Sequence, residues 1–349
     1  MKKVKIIGAG IAGCCSAYFL KKAGFDVEVF EKNTVCSGGS AGAGAFLSPK
    51  MSKPSPYKSY LNDALAFSLD FYEKNFSSCF KRVTLEKYPK DSEDWQKLQS
   101  YEEFIEFEYQ KKDGYFELDF AGLVEPKELC YALLEGISYH ENYEVQSLDE
   151  FEDSIIVIAT PNQNFLDLPY LRTKNISGYR YDVRFDGYEK RDKNSHRELS
   201  ISACFGDCVR IGATYIRGQK DIQLMADEDS FGLLKKAKEF KNLKNLKVLK
   251  SYTGVRNMSF DFFPVVGKAI NYHETIKKYP YIKKGTKVPS SKYIYHDNIY
   301  LHTALGSRGF VYAPYNAYLL AKLVKEEVNI HKKLSCERLF KKYFTTADI

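Results

Sequence analysis

The start of the chain divides its apolar positions between two short runs and one longer, helix-compatible stretch. Residues 4–7 are an apolar run, and the spacing G-x-G-x-x-G follows at Gly8, Gly10 and Gly13. Good helix formers continue from there to Gly24, a position where glycine commonly ends a helix. A second apolar run covers residues 27–30 and ends at Glu31. This pattern predicts a strand, a helix and a second strand.

Helical and β-type periodicity alternate along the rest of the chain. Apolar residues recur at helical spacing in residues 60–76, 126–134, 230–240 and 314–327. The β-type runs are 83–88, 115–120, 143–145, 154–161, 179–185, 198–205, 209–214 and 299–303. The run 154–161 is rich in β-branched residues, which is typical of a buried parallel strand. The runs between 80 and 120 alternate with charged turns and indicate antiparallel sheet instead.

These patterns predict an α/β chain, α+β in its overall mixture, built from two domains that interrupt each other. A discontinuous Rossmann-like domain for a dinucleotide would comprise residues 1–55, 121–165 and 254–349. Residues 56–120 and 166–253 would form an antiparallel-sheet substrate domain. A length of 349 residues is sufficient for two such lobes.

The glycine motif carries the first candidate chemistry. Gly8 permits a tight turn, Gly10 lets the backbone approach a pyrophosphate, and Gly13 allows close packing of the helix on the strand. The N–H groups at the helix N-terminus favour the phosphates. Glu31 can accept hydrogen bonds from ribose hydroxyls and disfavours a 2′-phosphate, so NADP is not expected. The stretch predicts a dinucleotide site and leaves NAD and FAD open, against a glycine-rich turn in another α/β protein.

Two further glycine-rich segments suit close approach of a flat ligand. Residues 38–44 contain four glycines in seven positions, and apolar residues follow rather than the charges of a surface linker. Residues 306–310 form a glycine turn between the predicted strand 299–303 and the predicted last helix, where a helix N-terminus can face a ligand. We expect His302, in that strand, to be buried and hydrogen-bonded rather than a ligand contact.

Composition limits the class of protein. Hydrophobic residues make up 44% of the chain and aromatic residues 15%, which excludes global disorder. No apolar run approaches the roughly 18 residues that a membrane span needs. The eight cysteines and six histidines show no metal-ligand spacing, so neither a metal nor a membrane is expected. Cysteines used as small buried side chains fit a reducing cytoplasm, which is the predicted localisation.

The net charge is mildly positive, at +7 with an isoelectric point near 8.7. Lysines concentrate in residues 235–250 and again in 277–292, where tyrosines stand among them. Lysines beside aromatic side chains suit phosphate contact and base stacking. Solvated lysine surfaces are commoner, so composition leaves both nucleic-acid contact and plain solvation open.

The combination of motifs resembles the D-amino-acid oxidase and glycine oxidase superfamily of FAD enzymes. The matching segments are the N-terminal fingerprint with Glu31, the loop 40–44, Ile158-Ala159-Thr160, Gly254-Val255-Arg256 with Asp261, Pro264 and Gly267, and Gly306-Ser307-Arg308-Gly309. They follow one order over most of the chain, and the resemblance implies FAD as the cofactor. The residues expected to contact it are Gly8, Ala9, Gly10, Ile11, Ala12, Gly13, Glu31, Lys32, Ser40, Ala41, Gly42, Gly44, Val145, Ala159, Thr160, Gly306, Ser307, Arg308, Gly309 and Phe310.

A closer resemblance is to the FAD-dependent domain of the tRNA wobble-uridine modification enzymes of the MnmC family. It is carried by residues 45–49, 212–218 and 305–314. The resemblance implies removal of the carboxymethyl group from 5-carboxymethylaminomethyluridine, with or without a 2-thio group, which leaves 5-aminomethyluridine. Hydride would pass from the glycine-like CH2 to the flavin N5, and the imine would hydrolyse. At this length we expect no methyltransferase domain of the kind that bifunctional members carry, so we expect any methylation to need a separate protein.

The same resemblance implies the substrate site. Arg256 and Arg308 are expected to be catalytic residues that hold the substrate carboxylate, because the arginine fork makes paired hydrogen bonds. The expected partner is tRNA, through its anticodon region. The candidate contacts to it are Tyr215, Arg217, Lys283, Lys284 and Lys287.

Two other functions stay open at this point. One is an oxidase of free glycine, sarcosine or a related small amino acid, which would need the same glycines, Glu31 and Arg256. The other is a non-catalytic flavin-dependent binding protein, in which Arg256 would have no purpose. The lysines and tyrosines of residues 277–293 favour the tRNA function.

Overall fold

The structure, a computed structural model, describes residues 2–161, 166–214, 216–217 (backbone only) and 232–345. Its strands are β1 (Lys3–Ile7), β2 (Asp26–Phe30), β3 (Phe46–Leu47), β4 (Phe80–Lys87), β5 (Tyr109–Lys112), β6 (Tyr115–Val124), β7 (Ser138–His140), β8 (Ile155–Ile158), β9 (Thr173–Arg184), β10 (Asn194–His196), β11 (Ser200–Ile201), β12 (Val209–Gly212), β13 (Ile216–Arg217), β14 (Lys247–Ser259), β15 (Val265–Ile270) and β16 (Tyr295–Thr303). Its helices are α1 (Ile11–Lys22), α2 (Pro56–Asn75), α3 (Ser92–Gln99), α4 (Pro126–Leu133), α5 (Leu233–Lys241), α6 (Tyr272–Lys278), α7 (Gly309–Val324) and α8 (Glu337–Tyr343).

A six-stranded sheet in the order β15-β16-β8-β1-β2-β7 carries the glycine motif. Neighbouring strands run parallel except β15, which is antiparallel to β16. Side chains alternate between its faces, as the strand repeat requires. Ile6 and Val157 pack with α1, α2, α4 and α7, whereas Ile7 and Ile158 pack on the other side with α6 and α8. Burial on both faces explains why these strands are continuously apolar.

A ten-stranded sheet follows the order β13-β9-β12-β11-β10-β4-β6-β3, with β14 along β9 and β5 along β6. β10 and β4 run parallel, and the other pairs are antiparallel. Two apolar clusters support this sheet, one with α5 around Val183 and Ile211 and one around Phe116 and Leu118. The predicted combination of a parallel sheet with a separate antiparallel one is therefore present.

The two sheets interleave along the chain. The six-stranded sheet takes its strands from residues 3–30, 138–158 and 265–303, and the ten-stranded sheet from residues 46–124 and 173–259. β6 crosses the predicted boundary at residue 120, and β14 crosses the one at residue 253. The five-segment division of the domains stays a prediction.

α2 begins at Pro56, earlier than the predicted start at residue 60. Ser55 is its N-cap, and the Ser55 Oγ accepts the Lys58 N–H at 3.1 Å. Proline at the first helical position loses no hydrogen bond, because the N–H there has no partner within the helix. The dipeptide Ser55-Pro56 was therefore the sequence signal for this start.

α7 begins at Gly309, so the predicted start at residue 314 is wrong, and α8 follows as a further helix. Pro314 lies inside α7 and cannot donate to the Phe310 carbonyl. The Tyr72 hydroxyl donates to that carbonyl at 2.9 Å instead, and the Ser68 hydroxyl donates to the Val311 carbonyl at 2.7 Å. The Tyr72 hydroxyl of α2 thus satisfies the carbonyl that the proline leaves unpaired, and Ser68 adds a second hydrogen bond between α2 and α7.

Two predicted strands are corrected by the backbone hydrogen bonds. Residues 143–145 do not form a strand, and the strand in this part of the chain is β7. The Tyr143 N–H donates to the carbonyl of Glu31, in the loop after β2, at 2.9 Å. The predicted strand 198–205 shortens to β11. Its end turns away because the Cys204 N–H donates to the Arg191 carbonyl at 2.7 Å.

The cysteines are all free thiols, and most of them are buried. Within the described residues, no group of three or more His, Cys, Asp or Glu side chains could hold a metal ion. The described helices include none that is both long and apolar enough to cross a membrane.

Candidate active site

A cavity of about 910 Å³ lies at the carboxyl ends of β1, β2, β8 and β16. Gly8, Glu31, Ala159 and Ala304 each directly follow one of these strands and line it. Residues of the ten-stranded sheet, from β3, β4, β6, β10, β11, β12 and β14, also line it. Open parallel sheets bind ligands at the carboxyl ends of their strands. The cavity is therefore the candidate active site.

The turn between β1 and α1 presents its backbone to this cavity. Gly8 has a φ of +103°, which side chains disfavour, and its N–H donates to the Phe30 carbonyl at 2.8 Å. A Cβ on Gly13 would lie 1.8 Å from the Gly8 carbonyl oxygen, so only glycine permits this contact. Ile11 lines the cavity, and its N–H donates to the Ser40 Oγ at 3.0 Å. The N-terminus of α1 therefore faces the cavity and can hold an anionic group.

Glu31 is a half-buried acceptor at the edge of the cavity. Its Oε2 accepts the Ala9 N–H at 2.8 Å, and its Oε1 accepts the Asn33 N–H at 3.0 Å. Lys32 beside it also lines the cavity and pairs with Glu144 at 2.8 Å on the exposed surface. The carboxylate is thus fixed next to the glycine turn, where an acceptor can bind ribose hydroxyls.

The glycine-rich loop of residues 37–45 packs directly on β14. A Cβ on Gly42 would lie 2.5 Å from the Gly254 nitrogen, and a Cβ on Gly39 would lie 2.4 Å from the Val255 carbonyl oxygen. Neither position has room for a side chain. These glycines bring the loop backbone against the strand that carries Arg256.

Arg256 lies on β14 and lines the cavity. Its Nη1 donates to the Thr214 carbonyl at 3.1 Å, and a Cβ on Gly178 would approach the same nitrogen to 2.6 Å. The side chain is half-buried. An arginine held in this way can direct its planar fork at a carboxylate.

Arg308 lines the same cavity from the turn 306–308 before α7. Its Nη1 donates to the Ser48 carbonyl at 2.7 Å. The structure therefore brings both predicted arginines to the cavity that holds the glycine motif. Their catalytic roles stay predictions.

Two cavity-lining lysines were not predicted from the sequence, Lys50 and Lys87. Burial lowers the pKa of Lys87 to about 8, with Lys90, Arg308 and Lys50 acting in the same direction and Asp94 opposing them. Burial, and then Arg308, also lowers the pKa of Lys50. Lys50 follows the segment 45–49 and Lys87 ends β4, but no sequence pattern joins two residues so far apart.

His196 on β10 also lines the cavity without having been predicted. Its Nδ1 lies 2.8 Å from the Ser200 Oγ. Burial, together with Lys87 and Arg308, lowers the pKa of His196 to about 3. The imidazole is therefore neutral near pH 7 and adds no charge to the cavity.

Most of the predicted cofactor-binding residues line the cavity: Gly8, Gly10, Ile11, Ala12, Glu31, Lys32, Ser40, Gly44, Ala159, Thr160, Gly306, Ser307, Arg308, Gly309 and Phe310. The other predicted cofactor-binding residues do not line the cavity: Ala9, Gly13, Ala41, Gly42 and Val145. Val145 is buried in the apolar cluster of Phe30 and Phe151. The assignment of all these residues to the cofactor stays a prediction.

The three predicted tRNA-contact lysines do not line the cavity. Lys283, Lys284 and Lys287 are exposed, in a segment that packs on the six-stranded sheet through Ile282. Tyr215 and the side chain of Arg217 lie outside the described residues. The basic residues that line the cavity do not include Lys283, Lys284 or Lys287.

His302 is fully buried, as expected, and does not line the cavity. Its Nδ1 lies 2.8 Å from the Ser16 Oγ of α1. Its Nε2 has no hydrogen-bond partner among the described residues. His302 therefore belongs to the packing between β16 and α1.

Comparison with known proteins identifies the family of this fold and site. The family described as DAO, FAD dependent oxidoreductase, matches residues 3–323. The chain belongs to this family. FAD is therefore its cofactor, and the prediction of a FAD-dependent oxidoreductase is confirmed.

Several curated relatives of the chain are named tRNA 5-methylaminomethyl-2-thiouridine biosynthesis bifunctional protein MnmC. The protein from Legionella pneumophila (strain Lens) is 25% identical over 370 residues, covering 93% of this chain and 54% of the relative. The protein from Campylobacter concisus (strain 13826) is 27% identical over 354 residues, covering 93% and 56%. The chain thus spans about half the length of the curated relatives it matches. The resemblance to the MnmC family is confirmed.

Solved structures with the same fold cover nearly the whole chain. Glycine oxidase from Geobacillus kaustophilus has a TM-score of 0.76 at 18% identity, covering 96% of this chain and 99% of that one. Iminodiacetate oxidase from Chelativorans sp. BNC1 has a TM-score of 0.73 at 15% identity, covering 95% and 98%. At these identities the likeness shows the fold alone, and it confirms the predicted fold class.

Proposed function

We propose that this protein removes the carboxymethyl group from 5-carboxymethylaminomethyluridine, or its 2-thio form, at the wobble position of tRNA, giving 5-aminomethyluridine. The enzyme would act on a CH–NH group, as amine and amino-acid oxidases do. The observation that carries the proposal is one cavity in which the cofactor motifs meet Arg256, Arg308, Lys50 and Lys87. The names of the curated relatives, which include tRNA and a methylaminomethyl uridine, support the substrate.

The residues at the carboxyl ends of the parallel strands fit FAD. The N-terminus of α1, approached through Gly10, would hold the pyrophosphate, and Glu31 would accept hydrogen bonds from the ribose hydroxyls. Gly13 and Gly42 let α1 and the loop 37–45 pack closely on neighbouring backbone, and Gly8, Gly10 and Gly44 line the cavity without side chains. When bound, FAD supplies the acceptor for a hydride from a carbon next to nitrogen.

The chain's own residues would position the reacting group, which is an N-alkylated glycine. Arg256 would pair with the substrate carboxylate and so fix the direction of the adjacent CH2. The lone pair of the unprotonated amine assists loss of hydride from this carbon, so no dedicated general base is required. The resulting C=N bond takes up water, and the C–N bond breaks to give the primary amine and glyoxylate.

Oxidation of free glycine or sarcosine is less favoured. One small carboxylate needs one arginine, whereas Arg256, Arg308, Lys50 and Lys87 all line the cavity. A larger, multiply charged substrate explains these cations better. The 5-aminomethyl product would be the substrate of a separate methyltransferase, which we propose as a functional partner.

The test is to incubate the FAD-loaded protein separately with tRNA that carries the carboxymethylaminomethyl group, with glycine and with sarcosine. We expect glyoxylate from the tRNA alone, in equal amount to the 5-aminomethyluridine found by mass spectrometry of the nucleosides. Turnover of the free amino acids without turnover of the tRNA would overturn the proposal.

A further inference from the structure

Lys50, Lys87 and Arg308 form a group of cations contributed by three separate elements. Lys50 lies in the loop after β3, Lys87 is the last residue of β4, and Arg308 lies in the turn before α7, yet all three line the same cavity. No carboxylate among the described residues forms an ion pair with any of them within 4.0 Å. Arg308 donates to the Ser48 carbonyl, and the Lys50 Nζ lies 5.4 Å from the Tyr57 ring centre.

The position of Lys87 is fixed by the sheet. Its backbone pairs with Phe116 of β6 on one side and with His196 of β10 on the other. The side chain is only partly exposed, and burial lowers the pKa of Lys87 to about 8; Asp94 opposes this shift, and Lys90, Arg308 and Lys50 act with the burial. Holding several cations together in a partly desolvated place is unfavourable unless an anion accompanies them. This group therefore has the character of an anion-binding site.

The anions already assigned leave Lys50 and Lys87 unused, whereas Arg308 is also a predicted contact of FAD and of the substrate carboxylate. The α1 N-terminus faces the cavity from another element and would hold the pyrophosphate, and Arg256 on β14 would hold the substrate carboxylate. A uridine within an RNA chain carries a phosphodiester on each side. We propose that Lys50 and Lys87, together with Arg308, bind a phosphodiester next to the wobble uridine. This inference rests on the proposed function.

The experiment uses anticodon stem-loops that carry the modified uridine and a fluorescent end label. In two further stem-loops, a neutral methylphosphonate replaces the phosphodiester on the 5′ or the 3′ side of that uridine. The dissociation constants are measured by anisotropy for the FAD-loaded wild type and for Lys50→Gln, Lys87→Gln and the double variant. Lys90→Gln is the matched control, because Lys90 is an exposed lysine beside β4 that does not line the cavity.

We expect one of the two methylphosphonates to weaken binding to the wild type on the order of tenfold. The double variant should bind the unmodified-backbone stem-loop more weakly by a similar factor, and the same methylphosphonate should then cost less than about twofold. Lys90→Gln should respond like the wild type. Lys87→Arg, which keeps the charge, should restore most of the binding. Unchanged FAD content in each variant shows that folding is preserved.

The proposed subsite would be overturned if each methylphosphonate weakened binding by the same factor in the double variant as in the wild type, because the lysines would then act independently of both phosphodiesters. Lysine variants that bind the stem-loops normally but lose oxidation of a small dicarboxylic amine such as iminodiacetate would also overturn it, because the bound anion would then be a carboxylate. Failure of the proposed function gives a different result: the wild type itself would release no glyoxylate from the stem-loop. The two failures are therefore distinguishable.

Discussion

Arg256 illustrates how a single side chain is directed by its surroundings. The Thr214 carbonyl accepts from its Nη1 at 3.1 Å, and Gly178 leaves the space that the guanidinium occupies. The glycine loop lies against the same strand through Gly42. A side chain with these constraints has little freedom to leave the cavity, which suits the positioning of a carboxylate.

Replacing this arginine should separate cofactor binding from turnover. We expect Arg256→Ala to retain FAD, because the predicted FAD contacts lie elsewhere, and to lower kcat/KM by about 10- to 150-fold through loss of a charge-assisted hydrogen bond. Arg256→Lys should recover part of this, since a lysine restores charge without the fork. Bound FAD is read from the visible spectrum and kcat/KM from glyoxylate release. Normal kinetics in Arg256→Ala would remove Arg256 from the site.

His302 should make the fold sensitive to acid. It is fully buried, and burial lowers the pKa of His302 to about 3, below the ordinary value of 6.5. Below about pH 6.5 the unfolded chain binds a proton that the folded protein cannot, so stability falls as the pH falls toward 3. Between pH 7 and pH 5 this loss amounts to about 2 kcal/mol.

His302→Asn should remove that part of the pH dependence. Urea unfolding of the wild type and the variant at pH 7 and pH 5 measures it, and other groups such as His196 contribute equally to both proteins. The variant should lose about 2 kcal/mol less than the wild type on acidification. Equal losses in the two proteins would show that His302 is protonated in the folded state.

At the scale of elements, the decisive contact is that between the loop 37–45 and β14. It places backbone against backbone, with a Cβ on Gly42 only 2.5 Å from the Gly254 nitrogen and 2.6 Å from the Thr253 carbonyl carbon. The loop also supplies the Ser40 Oγ that accepts the Ile11 N–H of α1. One loop thus connects the two sheets at the mouth of the cofactor site.

Two alanine substitutions in this loop should differ in their effect on the free energy of unfolding. Gly42→Ala has no room for its Cβ and should destabilise the protein by about 1–3 kcal/mol, with a reduced FAD content. Gly38→Ala is the control, because a Cβ there meets nothing within 4 Å and the residue does not have a positive φ. Its free energy of unfolding should change by less than about 0.5 kcal/mol. Equal effects of the two changes in urea unfolding would show that the loop does not pack on β14 in this way.

For the whole molecule, the net charge of +7 is distributed over several surfaces. Lys283, Lys284 and Lys287 are exposed, whereas Lys50 and Lys87 are drawn into the cavity. Exposed lysines and cavity-lining lysines can both attract an RNA chain, but only lysines close to phosphates release counterions on binding. Salt dependence therefore separates RNA contacts from solvated surface.

Changing Lys283, Lys284 and Lys287 together to Gln should flatten the salt dependence of tRNA binding. If each contacts one phosphate of a single-stranded segment, the slope of log K against log[salt] should decrease in magnitude by about 2. The comparison is the triple change of the exposed Lys236, Lys238 and Lys244, which alters the net charge equally. A slope that stays unchanged in the 283–287 variant would assign that segment to solvation.

Local sequence determined the elements whose signals lie within a few residues of each other. The strand, glycine turn and helix from β1 to α1, the acid at Glu31 and the apolar β8 were predictable because pleat, turn and phosphate site depend on short spacings. The same holds for the second glycine turn at 306–310. The family, and with it FAD, follows from these motifs in their order along the chain.

Tertiary structure decided what depends on residues far apart in sequence. α7 continues through Pro314 because the Tyr72 hydroxyl of another helix donates to the Phe310 carbonyl, which the sequence of α7 cannot indicate. Lys50, Lys87 and Arg308 become neighbours only when the two sheets close around one cavity. The charge of a side chain can be read from the sequence, but the strength of its interactions depends on distances that only the folded chain determines. Folding brings lysines that are far apart in sequence to one site.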